Sequence, residues 1–224
     1  MSTLEEVADA IQATLNDAGA STWSQAQIEQ WVNEAIADYT QHFQREVETT
    51  IATMASDQKY DLPPDFQRML RVELPDGESP PSYLIWRDRR RSDFWNVSGH
   101  YDIVYHRDDG VVDEIWLSSD PGTDTLRCWY LALHDSDLDS GDDVTVPADH
   151  HHLLHLFVFW RAYQMLAVEE AKAPTSNSSL ILAQLAQSAR AAWLDYRREL
   201  EKLLAESARS GTQGWRPNHL EGVY

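Results

Sequence analysis

The order of helix-like and strand-like patterns along this chain is the feature that most constrains its fold. Apolar residues recur at helical spacing over 4–18, from Ser24 to about 47, over 149–171 and over 178–208. Gly19 predicts the end of the first helix, and Ser24 is the predicted N-cap of the second. The segment 149–171 is apolar nearly all round, which predicts a helix buried between others. The last helix has one apolar side, formed by Leu182, Leu185, Ala189, Trp193, Tyr196, Leu200 and Leu203.

Between these helices, turn residues break the chain into short β-like runs. The predicted strands are 49–54, 69–74, 83–86, 101–106, 111–117 and 125–133. Asp108-Asp109-Gly110 is a hairpin signal between two of them. We therefore predict an α+β fold, a bundle of N- and C-terminal helices with an inserted antiparallel β-rich domain and an extended C-terminal tail. The predicted segments are 1–48 for the N-terminal helices, 49–147 for the β-rich domain, 148–208 for the C-terminal helices and 209–224 for the tail.

The charge of the chain disfavours some partners. The net charge is −19, from 22 Asp and 15 Glu against 15 Arg and 3 Lys. Neutralising phosphates requires clustered Lys and Arg, so specific DNA binding is disfavoured. Scarce lysine with abundant aspartate is typical of surfaces adapted to molar salt, where self-repulsion is screened. We hypothesise a halophilic source, with an ordinary acidic protein as the alternative.

Cysteine content and hydropathy indicate an intracellular protein without a membrane span. The single cysteine, Cys128, permits neither an intrachain disulfide nor a zinc site built on several cysteines. The N-terminus is acidic where a signal peptide would be basic. The longest apolar stretch, 153–168, is too short to span a bilayer, and Arg161 and Gln164 interrupt it. We expect synthesis in a cytoplasm.

One basic cluster stands out in this acidic sequence. It consists of Arg87, Arg89, Arg90 and Arg91 and is flanked by Trp86, Phe94 and Trp95. Arginines with aromatic neighbours can dock on an acidic protein surface, which fits a chain that is itself acidic. We predict a subunit or partner contact through the four arginines and Trp95. A solvated loop and a DNA contact by stacking and charge remain open.

The residues give little support for catalysis. His151 and His155 lie one helical turn apart, beside His150 and His152, and could share a cation, but side chains at a helix start explain them as well. The aspartates at 135, 137, 139, 142 and 143 do not form an EF-hand, because Ser140 and Val146 occupy the Gly and Glu positions. No phosphate loop or nucleophile motif is present. We predict no enzyme, no cofactor and no bound metal; a metal-dependent hydrolase is the weakest alternative.

The tail has no core-forming period, yet it carries spaced anchors. These are Trp215, Arg216, Leu220, Val223 and Tyr224. A segment of this kind typically becomes ordered on a partner, so the five residues are predicted to bind one. A merely frayed terminus is the alternative.

Four motifs occur in a characteristic order. They are WVNEA at 31–35, YDLPPDF at 60–66, IWL at 115–117 followed by DP at 120–121 and TLRCWY at 125–130, and VTVP at 144–147. Together they resemble the head–tail adaptor (connector) proteins of tailed bacteriophages and archaeal tailed viruses, over about residues 20–205.

The resemblance implies a structural protein of the virion neck. It implies a dodecameric ring beneath the portal that continues the DNA channel and binds a neck or tail protein below. Genomic DNA would pass through without specific binding. The resemblance also implies that the C-terminal tail docks into the portal ring. Another neck or tail-completion protein is the alternative.

Overall fold

The computed structural model describes residues 2–15, 22–106, 112–172 and 178–210. It is a mixed α+β structure with two N-terminal helices, central β-sheets and two long C-terminal helices that pack together. The chain divides between Phe43 and Gln44, and again between Leu133 and His134, into two compact units. We call the unit that contains the helices the helical unit and the other the β unit.

The elements follow one another in the predicted helix–strand–helix order. The helices are α1 (Leu4–Thr14), α2 (Gln25–Tyr39), α3 (His151–Lys172) and α4 (Ser178–Ser210). The strands are β1 (Arg45–Ala52), β2 (Lys59–Asp61), β3 (Phe66–Glu73), β4 (Ile85–Trp86), β5 (His100–Val104), β6 (Glu114–Leu117) and β7 (Thr125–Ala132). Short 3-10 helices occupy Phe94–Asn96 and Ala148–His150. Over the described ranges, no helix has both the length and the apolarity that crossing a membrane requires.

Side-chain caps fix the starts of the first two helices. Thr3 and Glu6 form a capping box at α1, with hydrogen bonds of 3.1 and 3.3 Å between side chain and backbone. The Ser24 hydroxyl accepts from the backbone of Gln27 at 3.3 Å, which confirms the predicted N-cap of α2. α1 ends at Thr14, and the predicted stop at Gly19 lies outside the described residues.

Helix α2 is shorter than the sequence predicted. It ends at Tyr39, with Thr40 as its C-cap, and β1 begins at Arg45, so the prediction of helix to about 47 was wrong. The ring of Phe43 stacks on Tyr39 at 4.9 Å between centroids. Phe43 therefore continues the apolar stripe without continuing the helix.

The helical unit has one apolar core to which all four helices contribute. Buried members include Ile11 of α1, Ile36 of α2, Leu154 of α3 and Leu200 of α4. The prediction that α3 is buried nearly all round was wrong: its buried residues recur at helical spacing, whereas His152 near its start and Val168 near its end are exposed. The predicted apolar side of α4 is buried or half-buried along its length.

The β unit contains two sheets with a common core. One sheet has the order β1–β7–β3 and is antiparallel, with register shifts in β3. The other has the order β2–β6–β5–β4, and its β4–β5 pair is parallel, so the expectation of a purely antiparallel β region was wrong. β5 and β6 are antiparallel neighbours, although the predicted turn Asp108-Asp109-Gly110 lies outside the described residues. Side chains of both sheets form the core, among them Phe66, Val72, Ile115 and Cys128.

Candidate subunit-contact site

The arginine-rich segment of the β unit directly follows the edge strand β4. Main-chain hydrogen bonds hold this edge to β5: Ile85 donates to Gly99 at 2.9 Å, and Arg87 donates to Tyr101 at 2.8 Å. The parallel pairing directs the chain away from the sheet directly after Trp86. The predicted contact residues therefore begin at a fixed sheet edge.

Local hydrogen bonds order the turn that follows. The backbone of Arg89 donates to the buried carboxylate of Asp102 at 3.0 Å, and that of Arg90 donates to Asp88 at 2.8 Å. Phe94, which begins the 3-10 helix, is completely buried. Phe94 is thus a core anchor of the segment, although the sequence placed it among the flanking aromatics.

The four arginines differ in what they contact. Arg87 and Arg91 both approach Asp93, with nitrogen–oxygen distances of 3.0 and 3.7 Å. Arg89 lies 4.0 Å from Asp102. Arg90 is exposed and forms no ion pair with any residue that the structure describes. Positive charge is therefore presented to solvent mainly at Arg90 and Arg91.

Stacked cations and aromatics extend this cluster onto β6. The guanidinium of Arg89 and the ammonium of Lys59 each lie 4.1 Å from the ring centroid of Trp116. Trp95 lies beside the same ring, at 6.1 Å between centroids. The indole of Trp116 donates to Glu114 at 2.9 Å and lowers the pKa of that carboxyl. These contacts fix the position of Trp95 relative to the arginines.

Exposed apolar side chains lie in the same segment of the chain as the two presented arginines. Ile85 is 65% exposed, Trp95 47%, Val97 44% and Trp86 42%. We define the arginine–tryptophan surface as Ile85, Trp86, Arg90, Arg91, Trp95 and Val97. The sequence indicated the arginines and Trp95 but gave no sign of Ile85, which lies in the two-residue edge strand, or of Val97, which follows the 3-10 helix.

The aspartate-rich loop of the helical unit is ordered as well. All five of its aspartates are exposed. Asp142 accepts from the backbone of Asp139 at 2.8 Å, and the Asp142 carbonyl accepts from Leu4 at 2.9 Å. Asn33 of α2 bonds Leu138 twice, donating to its carbonyl at 3.0 Å and accepting from its amide at 3.4 Å. The loop is therefore held against both N-terminal helices.

An open groove of about 430 Å³ lies between α2 and this loop. Three acidic side chains, Glu29, Glu34 and Asp137, line it. Glu34 is engaged by Arg161 of α3 at 2.7 Å, whereas Glu29 accepts from the hydroxyl of Ser140 at 2.9 Å. We call this feature the acidic groove; the remaining lining residues are Ala26, Gln30, Asn33, Ala37, Ser136 and Leu138.

The histidines near α3 have separate partners. His150 shares a hydrogen bond of 2.6 Å with the hydroxyl of Tyr39. His151 and His152 bond backbone carbonyls at 3.0 and 2.9 Å, and burial, followed by these two neighbours, lowers the pKa of His155. Throughout the described ranges, no three His, Cys, Asp or Glu side chains come together in a way that could hold a metal ion.

The five predicted binding residues of the tail, Trp215, Arg216, Leu220, Val223 and Tyr224, lie outside the described residues. Their role therefore stays a prediction.

Comparison with known families supports a role in virion assembly. A family model described as SU10 adaptor protein matches residues 2–218. The chain therefore belongs to the SU10 adaptor protein family, a family of phage head–tail adaptors. This membership confirms the resemblance seen in the sequence motifs, and the family is one of structural proteins rather than enzymes. No match was found among curated proteins.

Proposed function

We propose that this protein is one subunit of a ring between the portal and the tail or neck of a virion. The observation that supports this is membership of the adaptor family over residues 2–218. In the proposed assembly the ring continues the DNA channel, binds the portal on one side and binds a neck or tail protein on the other. Subunits are made in the host cytoplasm and end in the virion.

A ring of identical copies needs one contact that repeats around a closed rotation. We propose twelve copies, with Arg87, Arg89, Arg90, Arg91 and Trp95 at a contact with the neighbouring subunit or another virion protein. Partly exposed aromatic side chains on an ordered turn support this role, because interface anchors are typically aromatic residues and arginines.

The acidic character of the chain fits passage of DNA through such a ring. With 37 acidic and 18 basic residues, the chain offers few clustered cations that could neutralise phosphates. We propose that genomic DNA moves through the channel without specific binding. A channel surface lined by arginine would contradict this.

Particle mass and shape test the proposed ring. The purified chain, alone and mixed with the portal protein of the same virus, is imaged by electron microscopy and weighed by mass photometry at about 1 M and about 0.15 M salt. We expect rings of a single stoichiometry that co-purify with portal. A chain that remains monomeric at every concentration and does not bind portal would exclude the proposal.

The proposed portal contact of the tail is tested by truncation. A chain of residues 1–210 should keep the circular dichroism and melting temperature of the full chain and lose portal binding. In the full chain, Trp215→Ala with Tyr224→Ala should weaken binding, whereas the control Gln213→Ala with Asn218→Ala should not. Unchanged portal binding by the truncated chain would refute the role of the tail.

A further inference from the structure

We propose that the arginine–tryptophan surface of one copy docks into the acidic groove of a second copy of this chain. The inference rests on the proposed ring and names the two faces that meet in it. One face belongs to the β unit and the other to the helical unit, so each copy carries both. Contacts between unlike faces can repeat from copy to copy and close into a ring.

The docking face combines charge with exposed apolar area. Arg91 has a side chain 64% exposed, and Arg90 has no acidic partner among the residues the structure describes. Ile85 and Trp95, from the same segment of the β unit, are 65% and 47% exposed. Burying these apolar side chains is favourable at roughly 25 cal/mol per Å² of area removed from water, and the two arginines give the contact its direction.

The receiving face is acidic and already ordered. Among the described residues Glu29 and Asp137 have no cationic partner, although Glu29 accepts hydrogen bonds from Ser140 and Gln25, whereas Glu34 is paired with Arg161. The paired hydrogen bonds between Asn33 and Leu138 fix the loop wall, so docking orders few additional residues.

Charge complementarity is the reason for choosing a second copy as the occupant. The segment 134–149 carries six aspartates and no lysine or arginine, whereas four of the fifteen arginines of the chain lie within 87–91. Guanidinium groups bind carboxylates by short, charge-assisted hydrogen bonds, often two at a time. The most basic segment of the chain and its most acidic ordered surface therefore suit each other.

The test reverses the charge of each face separately. Arg90→Glu with Arg91→Glu alters the docking face, and Glu29→Lys with Asp137→Lys alters the groove; neither pair includes Arg89, which stacks on Trp116, or Glu34, which pairs with Arg161. Sedimentation velocity over a concentration series should show that each variant alone needs at least about tenfold more protein for half-association than the unaltered chain does.

Mixing gives the sharper result. Each variant keeps the face that the other has lost, and the two reversed faces are complementary in charge, so an equimolar mixture should associate with the two variants alternating. A chain with all four substitutions should regain association. Asp9→Lys with Asp124→Lys, which changes the charge equally at exposed sites outside the groove, should leave association unchanged.

Several outcomes would overturn the proposal. If the unaltered chain does not self-associate, the ring and this contact both fail. If the unaltered chain self-associates and the reversed variants associate at the same concentration, this contact fails while the ring stands. The same holds if reversing only one of the two faces weakens association. Variants that assemble normally but lose portal binding would assign the surface to the portal instead. If a charge-reversed variant does not fold, charge-neutral variants replace it: Arg90→Gln with Arg91→Gln for the docking face, and Glu29→Gln with Asp137→Asn for the groove. Their association is measured by the same sedimentation experiment.

Discussion

The hydroxyl of Tyr196 on α4 donates a hydrogen bond to the carboxylate of Asp38 on α2. Tyr196 is only 1% exposed, and burial together with this bond raises its pKa. Its ring packs against Phe157 at 5.7 Å and Trp193 at 5.4 Å between centroids. The last helix is thus joined to the second through a polar contact inside an aromatic cluster.

Removing that hydroxyl should destabilise the helical unit. Hydrogen bonds to charged groups contribute about 1.5–3 kcal/mol, so Tyr196→Phe is expected to lower the free energy of unfolding by about 2 kcal/mol. Tyr163→Phe on α3 deletes the same atom where no hydrogen bond is recorded among the described residues, and it should change little. Urea unfolding followed by circular dichroism measures both. Equal effects of the two substitutions would show that the Asp38 contact contributes nothing particular.

The amide of Asn33 should control the order of the aspartate-rich loop. Asn33→Asp keeps the shape of the side chain but removes its donor and places a negative charge beside the Leu138 carbonyl oxygen. We expect a loss of about 1–2 kcal/mol in unfolding free energy and faster hydrogen exchange at the Leu138 amide. Asn96→Asp, which also removes a donor from a backbone carbonyl, serves as the control. Unaltered exchange at Leu138 would mean that other contacts hold the loop.

Cys128 should be unreactive until the β unit opens. Burial raises the pKa of its thiol to about 12, so at pH 8 the reactive thiolate is about three orders of magnitude scarcer than for a free cysteine. Labelling by a thiol reagent should therefore be slow and should accelerate with added urea. In a Ser92→Cys chain the new exposed thiol should react at once, leaving one slow thiol. Rapid labelling of both would contradict the burial of Cys128.

Acid should weaken the helical unit through His155. Because burial and the neighbouring His151 and His152 lower the pKa of this residue, the folded state binds a proton less readily than the unfolded state. Stability should fall as pH decreases below about 6.5, the ordinary pKa of histidine. The His155→Gln variant should lose less stability between pH 8 and pH 5 than the unaltered chain. The His42→Gln variant, altered at an exposed position, should lose as much as the unaltered chain. Parallel pH profiles for all three would remove His155 as the cause.

Salt should stabilise the protein if its acidic surface is adapted to molar salt concentrations. At a net charge of −19, raising salt from about 0.1 to 1 M shortens the screening length from roughly 10 to 3 Å and reduces self-repulsion. We expect a higher melting temperature at 1 M, and a smaller salt response in Asp9→Lys with Asp124→Lys. A protein that is equally stable and assembled in dilute buffer would refute the halophilic hypothesis.

The long amphipathic helix was predictable because its signal is local. Tyr196 and Leu200 recur at helical spacing, and both are buried as their positions indicate. The end of α2 was not predictable, since Phe43 keeps the apolar spacing beyond the helix. Strand β2 was missed because its single apolar residue, Tyr60, gives no period; it forms by pairing with β6.

The contacts of the candidate site could not be predicted from the sequence either. The sequence displays four arginines but not which of them Asp93 and Asp102 engage. The acidic groove depends on Asn33 meeting Leu138, 105 positions later in the chain. Local composition predicts that a surface is charged, whereas its order depends on distant contacts.

Tyr196 lies 158 positions after Asp38 in the chain, and this separation affects the order in which the two units fold during translation. During translation the β unit can fold while α4 is still being made, because all the strands that the structure describes precede α3. The helical unit closes only when α4 has left the ribosome. Until then the core of the helical unit lacks Tyr196 and Leu200, and the carboxylate of Asp38 lacks this hydrogen bond.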